Sequence, residues 1–331
     1  MSTATMKAAM SLTSSALIGL GATLLPGTAE AHVKWFAAYD VMEAPRGMSD
    51  VLTAVFVALG LATMAALWLG ARIEASKLGK FVNFGMDVVF ESIRNRTEAI
   101  VRGGTAVFFV AVFVAGGTIL TPELRTNSDA IPWLQAAIAL GMVSRPTMAL
   151  SGLGIVFLFG LGVSEYGLFH MMDYPIFLGA AAYLIMTGLR IDNLAGLRPL
   201  DIARWGTAIT LMWASVEKWA FPGWSVPVLN AHNSITMGLD ISFVMVAAGM
   251  VEFGLSFALI WTKLVRRSAG LILLSMFLAA VAEFGKVDAI GHLMILVLLL
   301  VTIADDRDVN RKLPVLAPAT FAGALAGTMC F

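Results

Sequence analysis

Long apolar runs recur along this chain, and they are the feature that most constrains how it can fold. Most of them reach the roughly 17–25 residues that a helix needs to cross the hydrocarbon core of a membrane. The runs lie at 50–71, 104–122, 130–144, 147–164, 175–189, 205–221, 240–262, 267–285 and 288–304, with a weaker tenth at 314–331. The pattern predicts an all-α protein, a polytopic transmembrane bundle of about nine helices, or ten if the weaker run also spans.

The composition agrees with a membrane protein and excludes several other classes. Only 13% of the residues are charged, whereas a soluble domain is usually about a quarter charged. Lys plus Arg and Asp plus Glu each number 22, so no basic surface indicates nucleic-acid binding. The single cysteine, Cys330, cannot form an internal disulfide, a CxxC redox pair or a cysteine-ligated iron–sulfur cluster.

Residues 1–31 have the pattern of a secretory signal peptide. Lys7 precedes an apolar stretch at 8–26, and the tripeptide at 29–31, Ala-Glu-Ala, suits signal peptidase. Cleavage would leave His32 as the new N-terminus, while an uncleaved first helix is the alternative. Either reading predicts a short external segment at 32–49.

The distribution of lysine and arginine predicts the orientation of the bundle. If every run spans and His32 is external, 16 basic residues fall on the cytoplasmic side and 5 on the external side. The short run at 131–143 must span for this asymmetry to hold. We therefore expect a multi-pass protein of a bacterial-type inner membrane, with the lipid bilayer as its first partner.

The chain divides into successive helical segments. Residues 50–122 form a first helical pair that encloses a cytoplasmic stretch at 73–103, which predicts an amphipathic helix at the membrane surface. Residues 130–190 form a helical repeat unit, and residues 306–331 a cytoplasmic linker with a possible last helix.

A repeat of about 52 residues supports the repeat unit. Glu165 and Pro175 recur at the same spacing as Glu217 and Pro227. Chance similarity among apolar helices is the alternative.

Carboxylates in or beside the apolar runs are the candidate catalytic residues, since ionisable groups in a membrane are costly and often functional. They are Glu217, Glu252 and Glu283. Glu252 lies near the middle of its run, where an isolated carboxyl would be protonated because burial disfavours the charged form. A proton-handling or ligand-binding role competes with a structural hydrogen bond to a neighbouring helix.

Basic and aromatic residues near the same helix ends are candidates for binding a cofactor such as a quinone. These candidates are Lys218, Trp219 and Trp224. An interfacial belt of aromatic residues is the alternative, as are ion pairs that fasten helix ends, such as Glu283 with Lys286.

All four histidines are predicted to lie on the external side, which suggests a metal site. His170 and Asp173 are three residues apart and Asp288 and His292 four apart, so each pair shares a face if helical. Imidazole and carboxylate ligands suit zinc, copper or iron. The candidate metal ligands are His32, His170, Asp173, His232, Asp288 and His292, and ordinary interfacial polarity is the alternative.

Residues 203–305 carry a pattern of short motifs. The motifs are Arg204-Trp205-Gly206, Glu217-Lys218-Trp219, the Gly/Glu-rich stretch 248–254, the stretch 266–270 and His292. In these motifs the segment resembles the DoxX/DoxD family of small four-helix membrane proteins. The resemblance implies a four-helix unit and an association with respiratory or redox chemistry, as in the DoxD component linked to thiosulfate:quinone oxidoreduction.

Three functions are consistent with the sequence, and whether the chain is an enzyme stays open. The first is a redox- or quinone-associated subunit, with a respiratory or periplasmic redox partner, a quinone or a copper or zinc ion, and a polar Glu/His site at the external face. The second is a transporter for a metal ion or a proton-coupled solute, favoured by Glu252 and the repeat. The third is a non-enzymatic anchor or assembly subunit, since no nucleotide-binding or hydrolase motif is evident.

Overall fold

The computed structural model describes residues 43–231, 236, 238–307 and 317–329. Within these residues the secondary structure is helical, and the only extended pairing consists of two isolated bridges. The all-α prediction is therefore confirmed for the described part of the chain. The predicted signal peptide, His32, His232 and Cys330 lie outside it.

Fourteen helices are described along the chain. They are α1 (Met48–Val51), α2 (Ala54–Ala75), α3 (Lys77–Val89), α4 (Glu91–Arg94), α5 (Thr97–Ala115), α6 (Ala130–Gly141), α7 (Arg145–Met171), α8 (Pro175–Gly188), α9 (Pro199–Ala220), α10 (Val226–Ala231), α11 (Ile241–Ala258), α12 (Lys263–Phe284), α13 (Lys286–Ala304) and α14 (Ala317–Thr328). A single 3₁₀ turn, Pro222–Trp224, lies between α9 and α10.

Six of the described helices, α2, α5, α7, α11, α12 and α13, are long and apolar enough to cross a membrane. Two shorter helices, α6 and α8, are also apolar. Helix α9 has 22 residues but carries Asp201, Arg204, Glu217 and Lys218. The chain is thus a helical membrane protein, and the predicted total of nine or ten spans goes beyond these six.

Nine of the described helices pack as a closed series. In the described part of the chain, α2 packs against α11, and contacts then pass in turn through α9, α8, α7, α6, α5, α13 and α12, which returns to α2. Helices α9 and α13 also contact each other. They therefore lie between the two halves of the bundle. One half contains α5 to α8, and the other contains α2, α11 and α12.

Small residues allow the close packing of α8 with its neighbours. A Cβ atom at Gly206 of α9 would lie 2.8 Å from the carbonyl oxygen of Pro175 and 3.0 Å from the Cα atom of Gly179. On α7, a Cβ atom at Gly152 would lie 2.8 Å from the carbonyl oxygen of Ala181. Membrane helices approach closely where such residues meet.

Glycines in the left-handed region set two helix ends. Gly116 and Gly117 have φ values of +66° and +65°, so α5 ends at Ala115 although the predicted apolar run continued to residue 122. Gly285, with φ of +81°, separates α12 from α13. Glycine adopts these angles without the steric cost that a side chain brings.

Helix α3 lies in the stretch predicted to be an amphipathic surface helix. Phe81 and Phe84 are 74% and 67% exposed, whereas Asp87 accepts a hydrogen bond from Lys263 at 2.8 Å and pairs with Arg267 at 2.8 Å. Burial alone would raise the pKa of Asp87, but the hydrogen bonds and charges of these two α12 residues hold it below its usual value. The carboxylate of Asp87 thus holds α3 against α12. The phenylalanines of α3 form an exposed apolar surface.

Candidate functional site

A cavity of about 360 Å³ lies among helices α9, α11, α12 and α13. Its walls come mainly from the C-terminal halves of α9 and α12 and the N-terminal halves of α11 and α13, which meet at one end of the bundle. The loop after α5, the corner between α7 and α8 and the 3₁₀ turn contribute further residues. The volume falls within the range of small-molecule sites.

The cavity wall carries more acidic than basic groups. Most of the lining is apolar or aromatic, with Tyr174, Phe177, Trp224, Phe277 and Phe284 as the aromatic residues. The ionisable carboxylates, lysine and histidine are Glu123, Asp173, Glu217, Glu252, Asp288, Lys218 and His292. Among the described residues of the wall, five carboxylates therefore accompany one lysine and one histidine, which favours a ligand with a positive charge.

Lys218 and Glu252 form an ion pair in the cavity wall. The Nζ atom of Lys218 donates to Oε2 of Glu252 at 2.6 Å and to the carbonyl oxygen of Ala214 at 3.3 Å. The two side chains are 22% and 14% exposed. Glu252 is thus not an isolated carboxyl, because the packing of α9 against α11 brings a lysine from 34 residues away to it.

His292 and Asp288 also pair, as their spacing predicted. His292 Nδ1 lies 3.0 Å from Asp288 Oδ2, one helical turn apart on α13, and both residues are buried. The ring of Phe277 lies against the imidazole, with 4.7 Å between ring centroids.

His170 contacts a carboxylate that its spacing did not suggest. Its Nε2 atom lies 2.9 Å from Oε1 of Glu123, in the loop between α5 and α6, and Tyr174 donates its hydroxyl to Oε2 of the same carboxylate at 2.5 Å. Burial and the charge of Glu123 raise the pKa of Tyr174 well above its usual value, so the phenol stays protonated as the donor. Since Glu123 and Tyr174 line the cavity, His170 is connected to its wall.

The remaining candidate residues are divided between the cavity and other positions. Glu217 and Trp224 line the cavity. Trp219 packs between Phe56 and Phe253, and its Nε1 atom donates to the carbonyl oxygen of Val246 at 3.3 Å. Glu283 lies at the end of α12 outside the lining.

The described residues contain no group of three or more His, Cys, Asp and Glu side chains able to hold a metal ion. The structure brings the predicted ligands together as two separate histidine–carboxylate pairs. Two of the four histidines, His32 and His232, lie outside the described residues. Metal binding therefore stays a prediction.

A second polar cluster lies at the opposite end of α9, α12 and α13. Asp305 Oδ2 lies 3.0 Å from Arg198 Nη2 and 3.2 Å from Arg204 Nη1, and Arg266 Nη2 donates to the carbonyl oxygen of Asp305 at 2.8 Å. Asp201 pairs with both Arg198 and Arg204. We call these five residues the Arg–Asp network.

Asp305 is the residue that joins the three helices in this network. Burial alone would raise its pKa, but the hydrogen bond from Arg198 and the charges of Arg266 and Arg204 outweigh this effect and lower the pKa. From the sequence, Arg198 was considered only in the count of cytoplasmic charges, whereas Arg204 and Arg266 also belong to the motifs of the DoxX/DoxD resemblance. Asp305 follows the last residue of a predicted span, and nothing in its sequence context revealed its three partners.

Comparison with known proteins gives one partial similarity. No family model matches the chain, and no solved structure matches it with statistical significance. A protein of Acinetobacter baumannii named "Carnitine transporter" is 26% identical to it over 204 residues, which is 59% of this chain and 33% of that protein. The chain thus spans about a third of the length of this curated relative.

Proposed function

We propose that this chain is a membrane transporter that binds a small organic solute with a positively charged group. The observation that carries the proposal is the cavity among α9, α11, α12 and α13, with its excess of carboxylates inside a bundle of membrane-length helices. Charged groups within a membrane are costly unless they are paired or line a cavity. Here they do both, which supports a role in recognising a solute.

The lining suits an organic cation better than a bare metal ion. Aromatic faces such as those of Trp224, Phe277 and Tyr174 attract alkylated ammonium groups. The apolar remainder of the wall would contact the hydrocarbon part of the solute.

The similarity to the Acinetobacter protein supports transport as the class of activity. Carnitine itself contains a trimethylammonium group, so the relative's printed name agrees with the acidic and aromatic lining. The match covers only part of that protein, and carnitine therefore enters as one test solute among several.

The distribution of charge supports an orientation for the site. In the nine-span arrangement, α6, α8 and α9 complete the spans, and the excess of lysine and arginine marks the cytoplasmic side. The cavity would then lie towards the external face of the inner membrane, and the Arg–Asp network towards the cytoplasm.

Uptake into proteoliposomes tests this function. We expect the purified chain to take up radiolabelled choline or carnitine above the level of protein-free liposomes. Glu252→Gln should lower the uptake by about tenfold or more, because it removes a charge that faces the solute. Glu98→Gln is the matched control, since Glu98 pairs with Arg102 and Arg145 away from the cavity. Uptake that Glu252→Gln leaves unchanged would contradict the proposal.

The redox-associated role implied by the DoxX/DoxD resemblance has one supporting observation. The hydrogen-bonded pair of Asp288 and His292 beside the ring of Phe277 could hold the carbonyl of a quinone. Quinone extraction and metal analysis of the purified chain distinguish this candidate, because a stoichiometric quinone would favour it over transport. The anchor role would instead require a partner that co-purifies with the chain.

A further inference from the structure

We propose that the ion pair between Lys218 and Glu252 is exchangeable and that the solute is a zwitterion. Its alkylated ammonium group would pair with Glu252 and its carboxylate with Lys218. The inference rests on the proposed transport function and specifies its substrate class.

The two partners are placed where a solute could reach both. Both line the same cavity, and their side chains keep 22% and 14% of their surface exposed. Lys218 also contacts the carbonyl oxygen of Ala214, one turn back along α9. A second contact on its own helix holds the ammonium group near the wall when the carboxylate of Glu252 takes another partner.

Charge balance favours a solute with both signs. Glu123 pairs with His170, and Asp288 pairs with His292, so two of the other carboxylates of the wall have partners of their own. A purely cationic solute that took Glu252 would leave the charge of Lys218 without this counterion in a poorly hydrated wall. Removing one partner of such a pair is costly, because the remaining charge stays desolvated.

A zwitterion avoids this cost at both ends. It replaces one ion pair by two and adds no net charge to the cavity. The direct link between α9 and α11 then becomes a link through the solute, so occupancy can change the relative stability of two arrangements of these helices.

The lining also indicates the type of cationic end. Five of the described lining residues are aromatic, and the faces of aromatic side chains bind quaternary ammonium groups well. A trimethylammonium carboxylate satisfies both the rings and the ion pair.

Three matched probes test the proposal by isothermal titration calorimetry on the detergent-purified full chain. They are glycine betaine, its methyl ester, which lacks the negative charge, and tert-butylacetic acid, in which carbon replaces the ammonium nitrogen. We expect glycine betaine to bind about thirtyfold or more tightly than either analogue. Equal binding of glycine betaine and its ester would overturn the proposal.

Two variants identify the groups involved. Lys218→Met should abolish the preference for glycine betaine over its methyl ester. Glu252→Gln should abolish the preference for glycine betaine over tert-butylacetic acid. The control variant Glu98→Gln should retain both preferences. An unchanged preference in Lys218→Met would refute the assignment of the carboxylate. Circular dichroism shows whether each variant is folded. If a variant does not fold, binding of the three probes to the unmodified chain tests the proposal.

The outcomes separate this inference from the function on which it rests. If choline and the ester bind and are transported as well as glycine betaine, the zwitterion proposal fails and cation transport stands. If no probe binds and none enters proteoliposomes, both fail.

Discussion

Glu123 takes part in the site although it lies in a loop between two helices. Its side chain is only 8% exposed and contacts both His170 and Tyr174. The sequence pattern indicated His170 but not Glu123, because a glutamate in a polar loop has no periodicity that marks it. Contacts of this kind depend on where the loop folds back, which no spacing in the sequence records.

Replacing Glu123 tests this loop contact. Glu123→Gln should lower the free energy of unfolding by about 1.5–3 kcal/mol, since it removes the charge beside His170 and weakens the hydrogen bond that Tyr174 donates to a buried carboxylate. Thermal melting in detergent, followed by circular dichroism, measures the effect. Glu91→Gln, at an exposed position on α4, is the control and should melt like the unmodified chain. An equal melting temperature for all three proteins would contradict the account.

At the scale of single helices, the sequence predicted most of the fold. Apolar runs located the long helices, and the proline at the start of α8 and α9 agrees with their first turns. The predicted end of α5 was wrong by several residues, because apolar residues continue beyond the glycines at which the helix ends. The Arg–Asp network was not predicted because its members come from three helices that are distant in sequence.

Close packing of α8 with α9 gives a prediction at this scale. Gly206→Ala should destabilise the chain by about 1–3 kcal/mol, because the added methyl group would meet the backbone of α8. Gly160→Ala is the matched change, since nothing lies within 4 Å of a Cβ atom at that position on α7. Melting temperatures compare the two variants, and the contact is refuted if they are equal.

The network around Asp305 predicts a dependence on pH. The folded pKa of Asp305 is lowered, so its carboxylate contributes stability above its ordinary pKa of 3.8, and this contribution is lost as the pH falls through the lowered value. Asp305→Asn should therefore cost about 3–5 kcal/mol at neutral pH, and the cost should shrink below about pH 4.

Chemical unfolding at several pH values measures this cost. Asp192→Asn is the control, because Asp192 lies in an exposed loop. A difference between Asp305→Asn and the unmodified chain that stays constant down to pH 2 would show that the network does not depend on this carboxylate.

For the whole molecule, the four-helix unit at 203–305 contains the elements that enclose most of the cavity. Its boundaries came from a sequence resemblance, which stays untested as a family assignment. The closure of the bundle, in which α13 contacts α5 and α12 contacts α2, could not be predicted from apolar periodicity. Periodicity shows that a helix has neighbours in lipid, but not which helices they are.

Thiol labelling in intact cells tests most directly whether the acidic cavity faces the exterior. In a Cys330→Ser background, Ala248→Cys should react from outside about tenfold faster with a trimethylammonium methanethiosulfonate than with a sulfonate analogue, after correction for intrinsic reactivity. Val251→Cys, on an exposed part of the same helix, should stay unmodified because lipid surrounds it. Equal rates for both reagents, or reaction from the cytoplasmic side alone, would contradict the account.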